Sequence, residues 1–140
     1  MDKQLRILLA DDDRHVRSGL RAFLSAMLPC EIVGEAENGQ DAIVQVARHQ
    51  PDAVVLDLRM PTLDGVQATR IIKTHWPQTL IVILSLYMAE RTEALAAGAD
   101  AFVGKGDPPI NLVTTLLTVA RPVSPDTQAD QRQDGMNARS

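Results

Sequence analysis

The chain has 140 residues, a formal net charge of −4 and a hydrophobic content of 45%. That length suits a single domain with a substantial core, and the composition is ordinary for a soluble globular protein. The acidic balance argues against a nucleic-acid-binding surface as the main feature, the single cysteine excludes an internal disulfide, and no apolar run is long enough to span a membrane.

Apolar residues fall into short continuous runs that predict β-strands and longer stripes at helical spacing that predict α-helices. The predicted strands are residues 7–10, 31–35, 53–56, 80–84 and 101–103, of which the second and the fifth are weaker. The predicted helices are marked by Val16, Leu20, Phe23, Leu24 and Met27; by Ala42, Ile43, Val46 and Ala47; by Val66, Ile71 and Ile72; by Ala94, Leu95 and Ala97; and by Ile110, Val113, Leu116, Leu117 and Ala120. Asp13 and Asp64 are typical helix N-caps, Asn38 marks a turn into a helix, and Gly98 suits a helix end.

Strands that alternate with helices in this way predict an α/β protein with a parallel sheet covered on both faces. We expect a flavodoxin-like, doubly wound (βα)5 fold with strand order 2-1-3-4-5. The domain is expected to span residues 1–121, and the polar segment 122–140 is expected to be a disordered tail, or else a linker. The polar N-terminus and the single cysteine predict a cytoplasmic protein without a signal peptide.

Polar side chains of types that bind metal ions or take part in catalysis lie at the ends of four of the predicted strands. Asp11 and Asp12 follow the first strand, Asp57 follows the third, Ser85 closes the fourth, and Lys105 lies just beyond the fifth. Because the carboxyl ends of parallel strands meet at one edge, where such folds bind ligands, we expect these groups to converge.

Three carboxylates in one crevice favour a bound cation, since two of them about 5 Å apart repel by roughly 3 kcal/mol at an effective dielectric of ~20. Oxygen-only ligands suit Mg²⁺. A divalent cation beside a free carboxylate and the Lys105 ammonium is an arrangement for phosphoryl transfer, with Asp57 as the best candidate nucleophile. Taken singly, Asp11 and Asp12 are better explained as helix caps, Asp57 as a turn residue and Lys105 as a solvated loop lysine.

Four stretches in this order resemble a response-regulator receiver (CheY-like) domain over residues 4–121, closest to the LuxR/NarL-type receivers that usually precede a helix-turn-helix. The stretches are residues 7–12, residues 55–61 with Asp64 and Gly65, residues 83–85 and residues 98–105. The resemblance implies that Asp57 is the phosphoacceptor and also a ligand of Mg²⁺. It implies that Asp12 binds Mg²⁺ directly, that Asp11 acts through water, and that the backbone carbonyl of Arg59 is a further ligand.

The resemblance also assigns roles around the phosphoryl group. Ser85 matches the hydroxyl residue that contacts this group and moves on activation, and Lys105 matches the lysine that contacts a phosphoryl oxygen. Phe102 matches the aromatic switch residue. Arg59 and Tyr87 occupy two positions that tune hydrolysis, and their bulk is expected to slow it.

The implied function is that of a two-component response regulator, which takes a phosphoryl group from a sensor histidine kinase in a Mg²⁺-dependent reaction. Such a domain catalyses its own phosphorylation and dephosphorylation and is not a conventional enzyme. The expected output is contact with a downstream protein or a second copy through the receiver surface, without direct binding to DNA or to a membrane. The alternatives are a receiver-like interaction module that works without phosphorylation and, less favoured, a Mg²⁺-dependent phosphohydrolase.

Overall fold

The computed structural model describes residues 4–120, within which five parallel strands form one sheet in the order β2-β1-β3-β4-β5. The strands are β1 (Leu5–Ala10), β2 (Cys30–Ala36), β3 (Ala53–Leu56), β4 (Leu80–Ser85) and β5 (Ala101–Gly104). The helices are α1 (Arg14–Met27), α2 (Gly39–His49), α3 (Gly65–His75), α4 (Arg91–Ala96) and α5 (Ile110–Val119), with a 3₁₀ turn at Met88–Glu90. The predicted fold and strand order are confirmed, whereas the predicted domain boundary at residue 121 and the predicted tail at 122–140 lie outside the described residues.

The three central strands are apolar at consecutive positions because both faces of the sheet are covered. One face packs against α1 and α5, and the buried residues that the three central strands contribute to it are Ile7, Leu9, Ala53, Val55, Val82 and Leu84. The other face packs against α2, α3 and α4, and the buried residues that the same strands contribute to it are Leu8, Ala10, Val54, Leu56, Ile81 and Ile83. Burial of each large side chain stabilises the fold by about 1.5–3 kcal/mol. In the part of the chain that the structure describes, no helix is long and apolar enough to cross a membrane.

The predicted apolar stripe of α1 is only partly buried. Leu24 is fully buried, but Val16, Leu20 and Phe23 are only partly covered, and Met27 is 46% exposed. A groove of about 430 Å³ runs between α1 and α5, and the three partly covered side chains help to line it. The stripe therefore marks the inward face of α1, part of which faces this groove.

Side-chain caps set where the helices begin, directly after the loops that leave the sheet. Asp13 Oδ1 accepts the backbone N–H of His15 at 2.8 Å, and Asn38 Oδ1 accepts that of Asp41 at 2.7 Å. Asp64 forms a reciprocal capping box with Gln67. Each cap contributes about 1 kcal/mol. All three predicted helix starts are confirmed, and two of them, at α1 and α3, directly follow the loops that carry the acidic residues.

Gly65 allows the start of α3 to lie against the end of β3. A Cβ at this position would overlap the carbonyl oxygen of Asp57 and would lie 2.6 Å from the Cα of Leu58. We expect Gly65→Ala to destabilise the protein by about 1–3 kcal/mol or more, because backbone must move to admit the methyl group. Thermal unfolding measures this effect.

The matched control is Gly19→Ala in the middle of α1, where a Cβ would meet nothing within 4 Å. This variant is expected to gain about 0.5–1 kcal/mol from helix propensity. A Gly65→Ala protein whose melting temperature equals or exceeds that of the parent would contradict the close approach of α3 to the end of β3.

Candidate functional site

The predicted site residues extend the sheet beyond the ends of its strands. The backbone N–H of Asp57 donates to the carbonyl of Ala10 at 2.8 Å, so the loop after β3 stays paired with β1. The backbone N–H of Lys105 donates to the carbonyl of Ser85 at 2.8 Å in the same way. Because these hydrogen bonds fix the backbone of Asp57 and Lys105, both side chains start from fixed positions at the same edge of the sheet.

Three acidic side chains meet at this edge. One carboxylate oxygen from each of Asp11, Asp12 and Asp57 lies within 4.8 Å of the others. Asp11 and Asp57 are buried, with 3% and 6% exposure, whereas Asp12 is exposed. The cluster therefore has two carboxylates inside the edge and one at its mouth.

The ammonium of Lys105 reaches the buried pair. Its Nζ lies 2.9 Å from Asp11 Oδ2 and 3.6 Å from Asp57 Oδ1. Asp11 Oδ1 also accepts the backbone N–H of Asp13 at 2.9 Å, so both of its oxygens have a donor. When all three carboxylates are ionised, one ammonium against three negative charges leaves a local charge of −2 (+1 − 3).

This imbalance changes the proton affinity of the buried groups. Burial raises the pKa of Asp57 above its ordinary value, and the neighbouring charge of Asp11 raises it further, against the opposing effect of Lys105. Burial alone would lower the pKa of Lys105, but the hydrogen bond to Asp11 and the charges of both acids outweigh it, so this pKa is raised. The ammonium of Lys105 therefore stays protonated, and Asp57 is harder to ionise than an ordinary aspartate.

Ser85 and Phe102 lie on neighbouring strands beside the cluster. Ser85 is fully buried at the end of β4, and its Oγ accepts the backbone N–H of Tyr87 at 3.0 Å. Phe102 pairs with Ile83 in the β4–β5 ladder and packs, partly buried, against the core on the α2–α3–α4 face. The hydroxyl thus lies at the site edge, and the aromatic ring borders the helices on one face.

The Arg59 side chain reaches from the loop after β3 to the loop after β4. Its backbone N–H is 3.4 Å from Asp57 Oδ1, but its guanidinium lies 4.0 Å above the ring centroid of Tyr87. The same group donates through Nε to Glu90 Oε1 at 3.1 Å. At exposed positions a cation–π contact stabilises by about 0.5–1 kcal/mol and an ion pair by about 0.2–1 kcal/mol. The two predicted tuning residues are therefore in contact, with an acidic partner that the sequence did not indicate.

Arg17 makes two further contacts that the sequence analysis did not predict. Its Nη1 donates to the backbone carbonyl of Asp11 at 2.6 Å, and its Nε donates to Glu35 Oε1 at 2.9 Å. Burial opposes ionisation of Glu35, but hydrogen bonds from Arg21 and Arg17 outweigh it and lower the pKa of Glu35. The position of Arg17 one helical turn after Asp13 was the available signal, because that spacing directs a long side chain back over the strand end.

Known proteins share both the sequence pattern and the fold. The response regulator receiver domain family matches residues 7–117. YhcZ, an uncharacterized transcriptional regulatory protein of Bacillus subtilis, is 39% identical over 113 residues, which are 79% of this chain and 53% of that protein. The response regulator protein VraR of Staphylococcus epidermidis is 36% identical over 103 residues, which are 72% of this chain and 49% of that protein. The chain thus spans about half the length of these curated relatives.

Solved structures agree with the sequence relatives. A two-component response regulator of the LuxR family from Aurantimonas sp. superposes with a TM-score of 0.81 at 29% identity. The match covers 96% of this chain and 99% of that one. The similarity to LuxR/NarL-type regulators therefore holds at the level of both sequence and backbone.

The raised pKa of Asp57 predicts a pH-dependent stability in protein without metal. The folded state holds this proton more tightly than the unfolded chain, whose carboxyl has the ordinary pKa of 3.8. Ionised Asp57 therefore costs folding free energy, and this cost develops as the pH rises from that value through the raised pKa. We expect Asp57→Asn to melt above the parent at neutral pH, by about 3–6 °C for each kcal/mol removed, and the difference to shrink in acid.

Asp64→Asn is the matched control, because asparagine caps a helix as well as aspartate does. It is expected to leave the melting temperature unchanged across the same pH series. An Asp57→Asn protein that melts at or below the parent at neutral pH would show that the carboxylate cluster carries no net repulsion.

Proposed function

Because the chain belongs to the response regulator receiver domain family of two-component systems, we propose that it accepts a phosphoryl group on Asp57 from the phosphohistidine of a sensor histidine kinase, in a reaction that requires Mg²⁺. The observation that carries the proposal is the meeting of Asp11, Asp12, Asp57 and Lys105 at one edge of the sheet. A nucleophilic carboxylate, a cation site and an ammonium are the groups that phosphoryl transfer needs.

The donor set at this edge fits Mg²⁺. The carboxylates of Asp11, Asp12 and Asp57 offer only oxygen atoms, which this hard ion prefers, and the exposed Asp12 leaves the mouth open to water ligands. The residues proposed to hold the ion are these three aspartates and the backbone carbonyl of Arg59, with Asp12 in direct contact and Asp11 acting through water. Bound Mg²⁺ supplies positive charge that offsets the charge of the phosphoryl oxygens.

Asp57 is the proposed nucleophile. Its carboxylate oxygen attacks phosphorus, the new P–O bond forms as the P–N bond to the imidazole breaks, and the electron pair of that bond stays on the imidazole nitrogen. Lys105, whose ammonium is already 3.6 Å from Asp57 Oδ1, is placed to neutralise charge on a phosphoryl oxygen. Hydrolysis restores the starting state: the oxygen of a water molecule bonds to phosphorus as the bond between phosphorus and the Asp57 oxygen breaks. The electron pair of that bond returns to the carboxylate, and inorganic phosphate leaves with both protons of the water, one of which it can release to solvent.

The proposed switch involves Ser85 and Phe102. A phosphoryl group on Asp57 offers new acceptor oxygens, so the Ser85 hydroxyl is expected to turn toward it and weaken its bond with the N–H of Tyr87. Phe102 borders the helices on the α4 side of the sheet, where such a shift changes packing. The result is a shift between two arrangements of the surface formed by α4, β5 and α5.

The proposed partners follow from the family and the switch surface. A sensor histidine kinase is the donor, and a downstream protein or a second copy of the chain is the expected contact of the α4–β5–α5 surface. The domain is not proposed as a conventional enzyme, because its reaction ends on its own side chain. Localisation in the cytoplasm is part of the same proposal, since the donor is an intracellular phosphohistidine.

Incubation with acetyl phosphate and Mg²⁺ tests the proposal directly. Intact mass should show one phosphoryl group on the parent and none on Asp57→Asn, and a chelator should suppress the reaction, because the negative charges of donor and site then face each other without a cation. Asp64→Asn is the control variant and should be labelled like the parent. An unlabelled parent protein, or labelling of Asp57→Asn equal to that of the parent, would overturn the proposal.

The lifetime of the phosphorylated state tests the tuning role of Arg59 and Tyr87. In the Arg59→Ala, Tyr87→Ala double variant the two side chains that span the loops beside Asp57 are gone, so water should reach the phosphoryl group more easily. We expect hydrolysis about tenfold faster, which corresponds to about 1.4 kcal/mol of barrier. The decay of the phosphorylated mass after removal of the donor measures it.

Arg70→Ala removes an exposed arginine of α3 and serves as the control for loss of a positive charge. It should decay at the parent rate. Equal rates in the double variant and the parent would refute the tuning role while leaving the identity of the phosphoacceptor intact.

A further inference from the structure

We propose that Glu90 is a positioning residue for the site, which holds the Arg59 side chain against Tyr87 and thereby prolongs the life of the phosphorylated state. The inference rests on the proposed role of Asp57 as phosphoacceptor. Glu90 lies 31 positions from Arg59 in the chain and belongs to no motif that the sequence analysis identified.

Two different contacts act on one guanidinium. The carbon Cζ of Arg59 lies 4.0 Å from the ring centroid of Tyr87, while its Nε donates to Glu90 Oε1 at 3.1 Å. The guanidinium thus lies over the ring of Tyr87, and the carboxylate of Glu90 accepts from its Nε. The Arg59 side chain is 58% exposed and is rich in rotamers, so one weak contact would not keep it in one place.

The two residues that contact Arg59 lie on one hydrogen-bonded turn. Tyr87 and Glu90 are the ends of one turn, in which the backbone N–H of Glu90 donates to the carbonyl of Tyr87 at 3.1 Å. The start of that turn is tied to the site, because the N–H of Tyr87 donates to Ser85 Oγ at 3.0 Å. Ring and carboxylate therefore form a preformed clamp on the loop after β4, and Arg59 is the side chain that enters it.

The clamp ties together the two loops that border Asp57. Arg59 leaves the loop after β3, two residues beyond Asp57, and its backbone N–H is 3.4 Å from Asp57 Oδ1. Held in the clamp, its side chain bridges from this loop to the loop after β4. Loss of the Glu90 carboxylate leaves the ring contact alone, so Arg59 samples other rotamers and the bridge opens to water for a larger share of the time.

The experiment compares hydrolysis rates in Glu90→Ala, Glu90→Gln and Glu93→Ala. Each protein is loaded with acetyl phosphate and Mg²⁺, the donor is removed, and the phosphorylated mass is followed with time. Glu90→Ala should decay about two- to fivefold faster than the parent, the range that an exposed ion pair corresponds to. Glu90→Gln keeps an oxygen that accepts from Nε, so its decay rate should lie between those of the parent and Glu90→Ala. Glu93 is exposed and lies one helical turn after Glu90, and Glu93→Ala should decay at the parent rate.

A double variant separates positioning from a general effect on the fold. If Glu90 acts through Arg59, Glu90→Ala should add nothing in an Arg59→Ala background. Added salt should speed the decay of the parent by screening the ion pair, and should speed the decay of Glu90→Ala less. Equal decay of Glu90→Ala and the parent, or an equal effect of Glu90→Ala with and without Arg59, would overturn the inference.

A measurement without any phosphodonor tests the contact itself. In nuclear magnetic resonance spectra, Glu90→Ala, which removes the acceptor, should shift the Nε–H signal of Arg59 and the ring signals of Tyr87, the single tyrosine of the chain. Unshifted signals would overturn the role of Glu90 even if phosphorylation occurs. A parent protein that takes up no phosphoryl group while these signals do shift would overturn the proposed function and leave the clamp standing as a structural contact.

Discussion

Negative charge crowded at the carboxyl edge of the sheet is the constraint on which the rest of this molecule depends. Asp11 and Asp57 are almost fully buried there, the exposed Asp12 lies beside them, and one ammonium, from Lys105, reaches the pair. Buried carboxylates whose charge is not fully neutralised reduce the free energy of unfolding, so packing elsewhere in the fold must offset this cost. It does so with the buried apolar residues of the central strands and with backbone pairing that continues past the strand ends.

The same constraint makes the edge responsive. A site with spare negative charge gains stability from any added cation, and a phosphoryl group introduces acceptor oxygens where donors are few. Two donors lie near Asp57 Oδ1: the backbone N–H of Arg59 at 3.4 Å and the ammonium of Lys105 at 3.6 Å. Ser85 ends β4 and Lys105 follows β5, so these residues lie directly before the loops that lead into α4 and α5. A change in charge at this edge therefore acts close to the starts of these two helices.

Much of the fold followed from periodicity because its elements are strongly patterned. The consecutive apolar residues of β3 occur only where both faces are covered, and Asp13 and Asp64 cap helices in the way their positions predicted. The groove between α1 and α5 was not predicted, because periodicity reports which face of a helix turns inward but not how closely another helix approaches it. The partners of Arg59 and of the Asp11 carbonyl were not predicted for a related reason. Contacts between residues of different loops produce no repeating pattern in the sequence.

By itself the sequence determined which groups gather at the edge, since Asp11, Asp12, Asp57, Ser85 and Lys105 each follow a strand and parallel strands end together. Only the tertiary structure decided how those groups are paired and how deeply they are buried. Lys105 bonds to Asp11 more closely than to Asp57, Ser85 Oγ accepts from a backbone N–H, and Arg59 lies between Tyr87 and Glu90. Distances of a few ångströms between loops depend on packing of the whole chain, and electrostatic free energies depend on those distances, so chain order alone does not contain them.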